Sequence, residues 1–344
     1  MPSPTGLSLS NPNSLSNPNE LDDRPAMGLP AAFVDRLPAG LAAAVRDLVP
    51  DPAQLALRVE DRRLPLAARL AAGQLLALTG DPRIRPDDPQ LVHVPGGRFR
   101  MGATEGEVDE AARRYAHVGV TREWLSKELP AHEREVPAVA IMRYPVTHLE
   151  WRLFLLETEG TPPDSWRFGA FPAHAANHPV WTVEPPEAEA YAAWLSARTG
   201  RRFRLPSEVE WEFVAGGGAD EPRREYPWGD TPPGPEHANV IEHGPITTTP
   251  VGCFPAGASA HGVLDLGGNV EEYVADDYRP YPGAEHVADD LARRTGGYRI
   301  ARGGGFTRFG DLTRTRRRHG RFPRDLYAMG FRLVEATEQT GRQV

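Results

Sequence analysis

Proline or glycine interrupts this chain so often that long regular elements are ruled out. The 344 residues include 35 prolines and 34 glycines, and each either fixes φ and removes a backbone donor or opens turn conformations closed to other residues. A chain built this way folds as short elements joined by irregular loops. The loops then need side-chain hydrogen bonds, ions or a scaffold to satisfy their backbone groups. With 40% hydrophobic and 25% charged residues, there is enough apolar material for one large core or two modest ones. A net charge of −8 argues against nucleic acid as a partner, because phosphate binding calls for a basic face. The single cysteine, Cys253, permits neither an internal disulfide nor a cysteine-built metal centre, and suits a small buried thiol. No apolar run approaches the roughly 20 residues that span a bilayer. The N-terminal MPSPTGLSLSNPNSLSNPNE lacks a basic segment followed by an apolar one, so the expected location is cytoplasmic, with no membrane partner.

The texture changes along the chain. Residues 1–28 repeat Ser, Pro, Asn and Leu and read as a disordered tail. Residues 29–90 hold short Ala/Leu-rich helical segments (AAFVDRL, GLAAAVRDLV, PLAARLAAGQLLALTG), with Gly80 as C-cap and DPRIRPDDP as linker. Residues 91–336 form the main domain, and 337–344 a second tail. Within the domain, LVHVPGGRFRMG reads as a hairpin turning at Pro-Gly-Gly, and GEVDEAARRYAHVG as a helix in a charged insertion. AVAIMRYPVT reads as a strand. Helices start at the Thr147 cap, run through PPEAEAYAAWLSARTG to Gly200, and start again at Ser207, where Glu210 completes a capping box.

The co-linear motifs PGGRFRMG, ELPAHERE, YPVTHLEW, NHPVWTV, RLPSEVEWEFVAGGG, YPWGD, VLDLGGNVEEYVADDY, ARGGGF and MGFRLVE resemble the sulfatase-modifying-factor, or formylglycine-generating-enzyme, family. The resemblance covers about 245 residues and implies an α+β fold: a much-modified C-type lectin domain, low in regular secondary structure, preceded here by short helices. The family spans copper-dependent formylglycine-generating enzymes, iron-dependent sulfoxide synthases of ergothioneine and ovothiol biosynthesis, pyoverdine-maturation oxidases, non-enzymatic paralogues and retroelement-diversified binders. Fold alone does not choose among them.

Individual positions narrow the choice. The resemblance places Arg308 and Thr313 where the copper-binding cysteines would stand, and neither side chain is a thiolate. Cysteine-to-formylglycine oxidation is therefore not expected. The helices at 29–80 contain no histidine, so the iron site that sulfoxide synthases build largely in an added helical domain cannot come from them. An iron site assembled by the main domain from its own histidines and carboxylates stays open, with Fe2+ as the candidate redox metal. The segment DLGGNVEEY implies a structural Ca2+ held by the carboxylates of Asp265 and Glu272 and the carbonyls of Gly268 and Val270. A second family calcium site, starting at Asn239, lacks its acidic loop. His132 and His178 fill positions the family commonly gives to histidine and suit structural hydrogen bonding, whereas His148 stands where the family usually has asparagine. Glu271 replaces a tryptophan that lines the family cleft. It can ligate a metal, act as a base, bind a cation or point to solvent.

Between residues 299 and 324 lie Arg299, Arg302, Arg308, Arg314, Arg316, Arg317, Arg318, Arg321 and Arg324. Arg302 and Arg332 belong to the RGG and GFR motifs and are expected to pin the fold. The remainder point either to an anionic ligand or to a solvated stripe balanced by Asp276, Asp277, Asp289 and Asp290. The first reading is a non-haem metal-dependent oxidoreductase for a small molecule or peptide in specialised metabolism. Its cleft would be lined by Glu271, Arg308, Arg317 and His319, with Gly305, Arg308, Thr313 and Arg316 holding the ligand. The second is a non-catalytic binder. Residues 302–328 contain no Lys, Glu, Gln, Trp or Met, which suits adenine-directed diversification and an arginine-rich cleft alike.

Overall fold

The computed structural model describes residues 17–49, 51–219, 223–324 and 326–336. Its longest antiparallel ribbon follows from the Pro-Gly-Gly segment, though not as a hairpin. Strands β1 (Leu91–Val94) and β2 (Gly97–Met101) do not pair with each other; they pair in succession with β4 (Val139–Met142) and β3 (His132–Val136). Val94 lies opposite Val139 and Gly97 opposite Val136, so both ribbons bend together where Pro95-Gly96 faces Pro137-Ala138. A Cβ at Gly96 would stand 2.5 Å from the Ala138 nitrogen, which is why the bend needs glycine. Period-2 alternation marks strands without naming their partners, and the hairpin expectation is corrected on that ground.

The other strands are short: β5 (Phe203–Arg204), β6 (Glu271–Asp277), β7 (Arg299–Arg302), β8 (His319–Gly320), β9 (Met329–Gly330) and β10 (Val334–Glu335). They make two four-stranded sheets, ordered β1-β4-β10-β5 and β8-β7-β6-β9. Helices Glu105–Tyr115, His148–Thr158 and Glu208–Gly216 each begin with a capping box, from Thr104, Thr147 and Ser207, and Pro185–Thr199 ends at Gly200. Trp151, Phe154, Tyr191 and Phe331 stack into one core cluster, and Trp211, Phe213 and Val274 into another. The result is an α+β domain, poor in regular structure, with arginine–carboxylate pairs tying its loops.

Helices Leu41–Arg46, Pro52–Val59 and Leu66–Thr79 dock on this domain. Leu55, Val59, Leu70 and Leu76 pack with Cys253 and Phe254, and burial pushes the Cys253 thiol pKa far up, leaving it unreactive. A Cβ at Gly73 would stand 2.5 Å from Pro250 Cγ. Asp81 accepts from Arg83 Nη2 at 2.7 Å and from Asn177 Nδ2 at 2.8 Å, and Arg143 Nη2 donates to Glu60 at 2.5 Å. The expected helix over AAFVDRL does not form: residues 31–37 carry no helix and Phe33 is 88% exposed, since Pro30 and Pro38 bracket too few residues to sustain one. The tail boundary also moves. Residues 1–16 and 337–344 lie outside the described residues, but 17–28 are ordered, with Ala26, Met27 and Leu29 packed on Tyr273, Phe322 and Tyr327. Among the described residues no helix is long and apolar enough to cross a membrane.

Candidate functional site

Strand β6 positions the site by its pleat. Glu271 and Glu272 are neighbours in sequence, so their side chains leave opposite faces of the sheet. Glu272 enters the core: its Oε2 accepts from Trp211 Nε1 at 2.9 Å and Arg332 Nε at 2.7 Å, while its Oε1 accepts from Arg332 Nη2 at 2.5 Å. Glu271 takes the other face, where His319 on β8 reaches it across β7. His319 Nδ1 lies 3.0 Å from Glu271 Oε2, and Ala301 of β7 pairs with His319 on one side and Tyr273 on the other.

This pair is buried among cations. Burial pushes the Glu271 pKa up to about 7, against the pull of Arg308 and Arg317. Burial, then Arg308, Arg317 and Lys127, drives His319 well below the ordinary imidazole range. Burial disfavours the charged form of both groups, so the contact is a hydrogen bond with little ion-pair character. Glu271 Oε1 is buried without a hydrogen-bond partner. The imidazole stacks on Tyr327 at 5.5 Å, and the Arg308 guanidinium sits 4.7 Å from the same ring.

Arg308 reaches this place because β7 runs straight into two glycines with left-handed backbone. Gly303 and Gly304 have φ of +90° and +70°, and a Cβ on either would clash, with Leu266 O at 2.6 Å or Leu312 Cβ at 2.7 Å. Ile241 N then donates to Arg308 O at 3.0 Å. Among the described residues Arg308 is the one arginine of the 299–324 run with no carboxylate within salt-bridge distance, and its Nε is buried without a partner.

The other arginines are structural. Arg314 donates to Glu128 through both Nη atoms at 3.0 Å and Arg318 grips Glu208 at 2.8 and 2.9 Å. Arg302 pairs with Glu208 and Glu212, and Arg316 with Glu225. Of the four aspartates expected to balance the run, only Asp277 does so, through Arg299 at 3.1 Å. Asp276 instead caps Glu208 N at 2.6 Å. Burying a guanidinium is tolerable when a carboxylate meets it in fork geometry, and that geometry comes from glutamates distant in sequence.

The structure therefore brings together Glu271, Arg308, Arg317 and His319. Arg317 bridges, with Nε 3.3 Å from Asp311 and Nη1 donating to the Arg318 carbonyl at 2.8 Å. The expected ligand set is not assembled around them. Thr313 is fully buried and donates to Gly310 O at 2.7 Å, Arg316 is held by Glu225, and Gly305 backs onto Asn269 and Glu271 main chain. Lys127, unsuspected from sequence, is buried 2.5 Å from Asp289, and its pKa falls to about 8 through desolvation. It borders, with Asp289, Arg317 and His319, a narrow cavity of about 10 Å³. Only coordinates reveal it, since Lys127 and Asp289 lie in unrelated loops.

Side chains expected to hold either metal have protein partners of their own. Arg332 and Trp211 occupy three acceptor positions on Glu272 and compensate its charge, so a calcium ion would compete with a buried guanidinium. Asp265 Oδ2 accepts from Gly252 N at 2.7 Å, and burial raises its pKa to about 6. For iron, His319 Nδ1 and Glu271 Oε2 pair with each other, leaving Glu271 Oε1 without a partner. His148 Nδ1 accepts from Trp166 at 2.7 Å, and His178 contacts Thr248 at 3.1 Å. Desolvation lowers the pKa of both to about 3. Among the described residues no three His, Cys, Asp or Glu converge.

A family model, the sulfatase-modifying factor enzyme 1-like domain, matches residues 79–337. Hercynine oxygenase of Mycolicibacterium thermoresistibile is 35% identical over 255 residues, covering 63% of this chain and 55% of that protein. The formylglycine-generating enzyme of Mycobacterium tuberculosis is 30% identical over 254 residues, covering 56% of this chain and 75% of that protein. This chain spans about half the length of the hercynine oxygenases it matches. PvdO from Pseudomonas aeruginosa aligns structurally with a TM-score of 0.54 at 28% identity, over 73% of this chain and 95% of PvdO. Treponema denticola variable protein 1, at 18% identity, TM-score 0.50 and coverage of 72% and 95%, shares the fold.

Proposed function

The chain belongs to the sulfatase-modifying factor enzyme 1-like family, and we propose that it is an oxidoreductase domain acting on a small molecule or peptide that carries an anionic group. The carrying observation is Arg308. Its guanidinium is buried with no carboxylate at salt-bridge distance, its charge met by Tyr327 and, at longer range, by Glu271 and Asp311, and it sits beside His319 and Glu271, whose carboxyl burial lifts to about 7. An incoming carboxylate or similar anion would supply Arg308 with the paired partner that no carboxylate of the described residues gives it. Glu271 and His319 then give or take a proton next to the bound group. The single, inert Cys253 sets this chemistry apart from copper-dependent cysteine oxidation. The hercynine oxygenases among the relatives support an oxidative role on a small metabolite over a purely binding one.

Among the described residues no three metal-ligating side chains converge, so any iron has to come from solution. The test supplies it. The full chain is incubated with Fe(II), oxygen, a carboxylate-bearing thiol and hercynine, with oxygen uptake and product mass recorded for wild type and Arg308→Met. Oxygen uptake and an oxidised product in wild type, lost in the variant, support the reading. No uptake, together with no calorimetric binding of either compound, sinks it.

A further inference from the structure

We propose that residues 17–29 form a strap that gates the cleft, closed in this structure and displaced when a ligand enters. The cavity beside His319 measures about 10 Å³, room for about one water, whereas small-molecule sites occupy roughly 300–1,000 Å³. A ligand enters only if something moves, and the strap is the wall with the least regular structure. Asn19 forms one wall of that cavity. Tyr327, which carries both the His319 and Arg308 stacks, donates its hydroxyl to Asn19 Oδ1 at 2.6 Å. Asn17 and Asn19 donate to Asp290 Oδ2 at 2.9 and 2.6 Å, and Arg324 donates to Pro18 O at 3.0 Å and Asp23 at 2.6 Å.

The strap is separable on the same grounds. It joins no sheet, and its regular structure is one helical turn, Asp23–Ala26, and one 3-10 turn, Pro18–Glu20. Ala26, Met27 and Leu29 are its buried apolar anchors, and the following residues 31–38 run exposed or half-exposed without helix or strand. That exposed connection lets the anchors lift without disturbing the docked helices. Lifting uncovers Tyr273, Phe322, Tyr327, Asp290 and Arg324 as a bed of aromatic rings and opposite charges leading to Arg308.

The test reads access to His319 and not turnover, so it stays informative if the oxidative reading fails. Diethyl pyrocarbonate, which acylates neutral imidazole, is applied to the full chain, and carbethoxylation of the His319 peptide is timed by mass spectrometry. His148 and His178 serve as internal references. Met27→Asp and, as the milder variant, Asn19→Ala are compared with wild type, with hydrogen exchange at residues 17–29 reporting strap opening. The expected result is a tenfold or larger acceleration at His319 in Met27→Asp, a smaller one in Asn19→Ala, and unchanged rates at the two references. Strap amides that exchange freely while His319 reacts at the wild-type rate would overturn the gate. So would strap amides that open only with the whole domain.

Discussion

Glu271 and Glu272 stand next to each other on β6 and meet opposite fates: Glu272 is locked by Arg332 and Trp211 inside the core, while Glu271 pairs with His319 and leaves Oε1 unpartnered. One residue of register separates a carboxylate locked in the core from one that keeps an oxygen unpartnered.

That difference sets a pH dependence. Burial raises Glu271 to about 7 from an ordinary 4.5, so between those values the folded state holds more protons than the unfolded one. Its contribution to stability is full below pH 4.5 and lost as pH rises through 7. Glu271→Gln should flatten the decline between pH 5 and pH 8 by up to about 3 kcal/mol. Urea midpoints at both pH values measure this; a variant with the wild-type slope would place the titration elsewhere.

Removing Arg308 and removing Arg314 should have opposite signatures. Arg314→Met leaves Glu128 buried and unpaired and should cost about 3–5 kcal/mol. Arg308→Met removes a buried cation with no carboxylate partner and should change stability by less than about 1 kcal/mol while abolishing binding of an anionic ligand. Calorimetry of both variants decides it, and equal destabilisation would make Arg308 another structural pin.

Chelation should leave the fold unmoved. A calcium ion bound at a hundred times its dissociation constant stabilises by about 2.7 kcal/mol, which a melting curve detects easily. Because Arg332 and Trp211 already hold Glu272 and compensate its charge, EDTA is expected to shift the Tm by less than about 1 °C. A fall of several degrees, restored by calcium, would reinstate an ion at Asp265.

The docked helices should depend on Gly73. An added methyl would meet Pro250 at 2.5 Å, so Gly73→Ala should destabilise by about 1–3 kcal/mol and speed hydrogen exchange across residues 66–79 ahead of the main domain. Wild-type exchange there would mean that the contact yields freely.

Local chemistry was legible in the chain itself. Threonine or serine followed three residues on by glutamate marks a helix start from covalently near atoms, and Thr147 and Ser207 cap where they were read. The ordered motifs carried the family and its lectin-like scaffold, and the missing cysteine pair carried the exclusion of copper. Partnership was not legible. Whether an arginine is a ligand-binding group or a pin depends on which carboxylate faces it, and Glu128, Glu208 and Glu225 lie some 90 to 190 residues from the guanidiniums they hold. The same applies to the Pro-Gly-Gly bend, whose strands pair with residues 132–142, and to the polar N-terminal stretch whose Met27 and Asn19 close the cleft. Sequence determines the faces and ends of elements because those are set by neighbours along the chain. Burial and charge pairing were decided by the tertiary structure, because electrostatics and desolvation act through space.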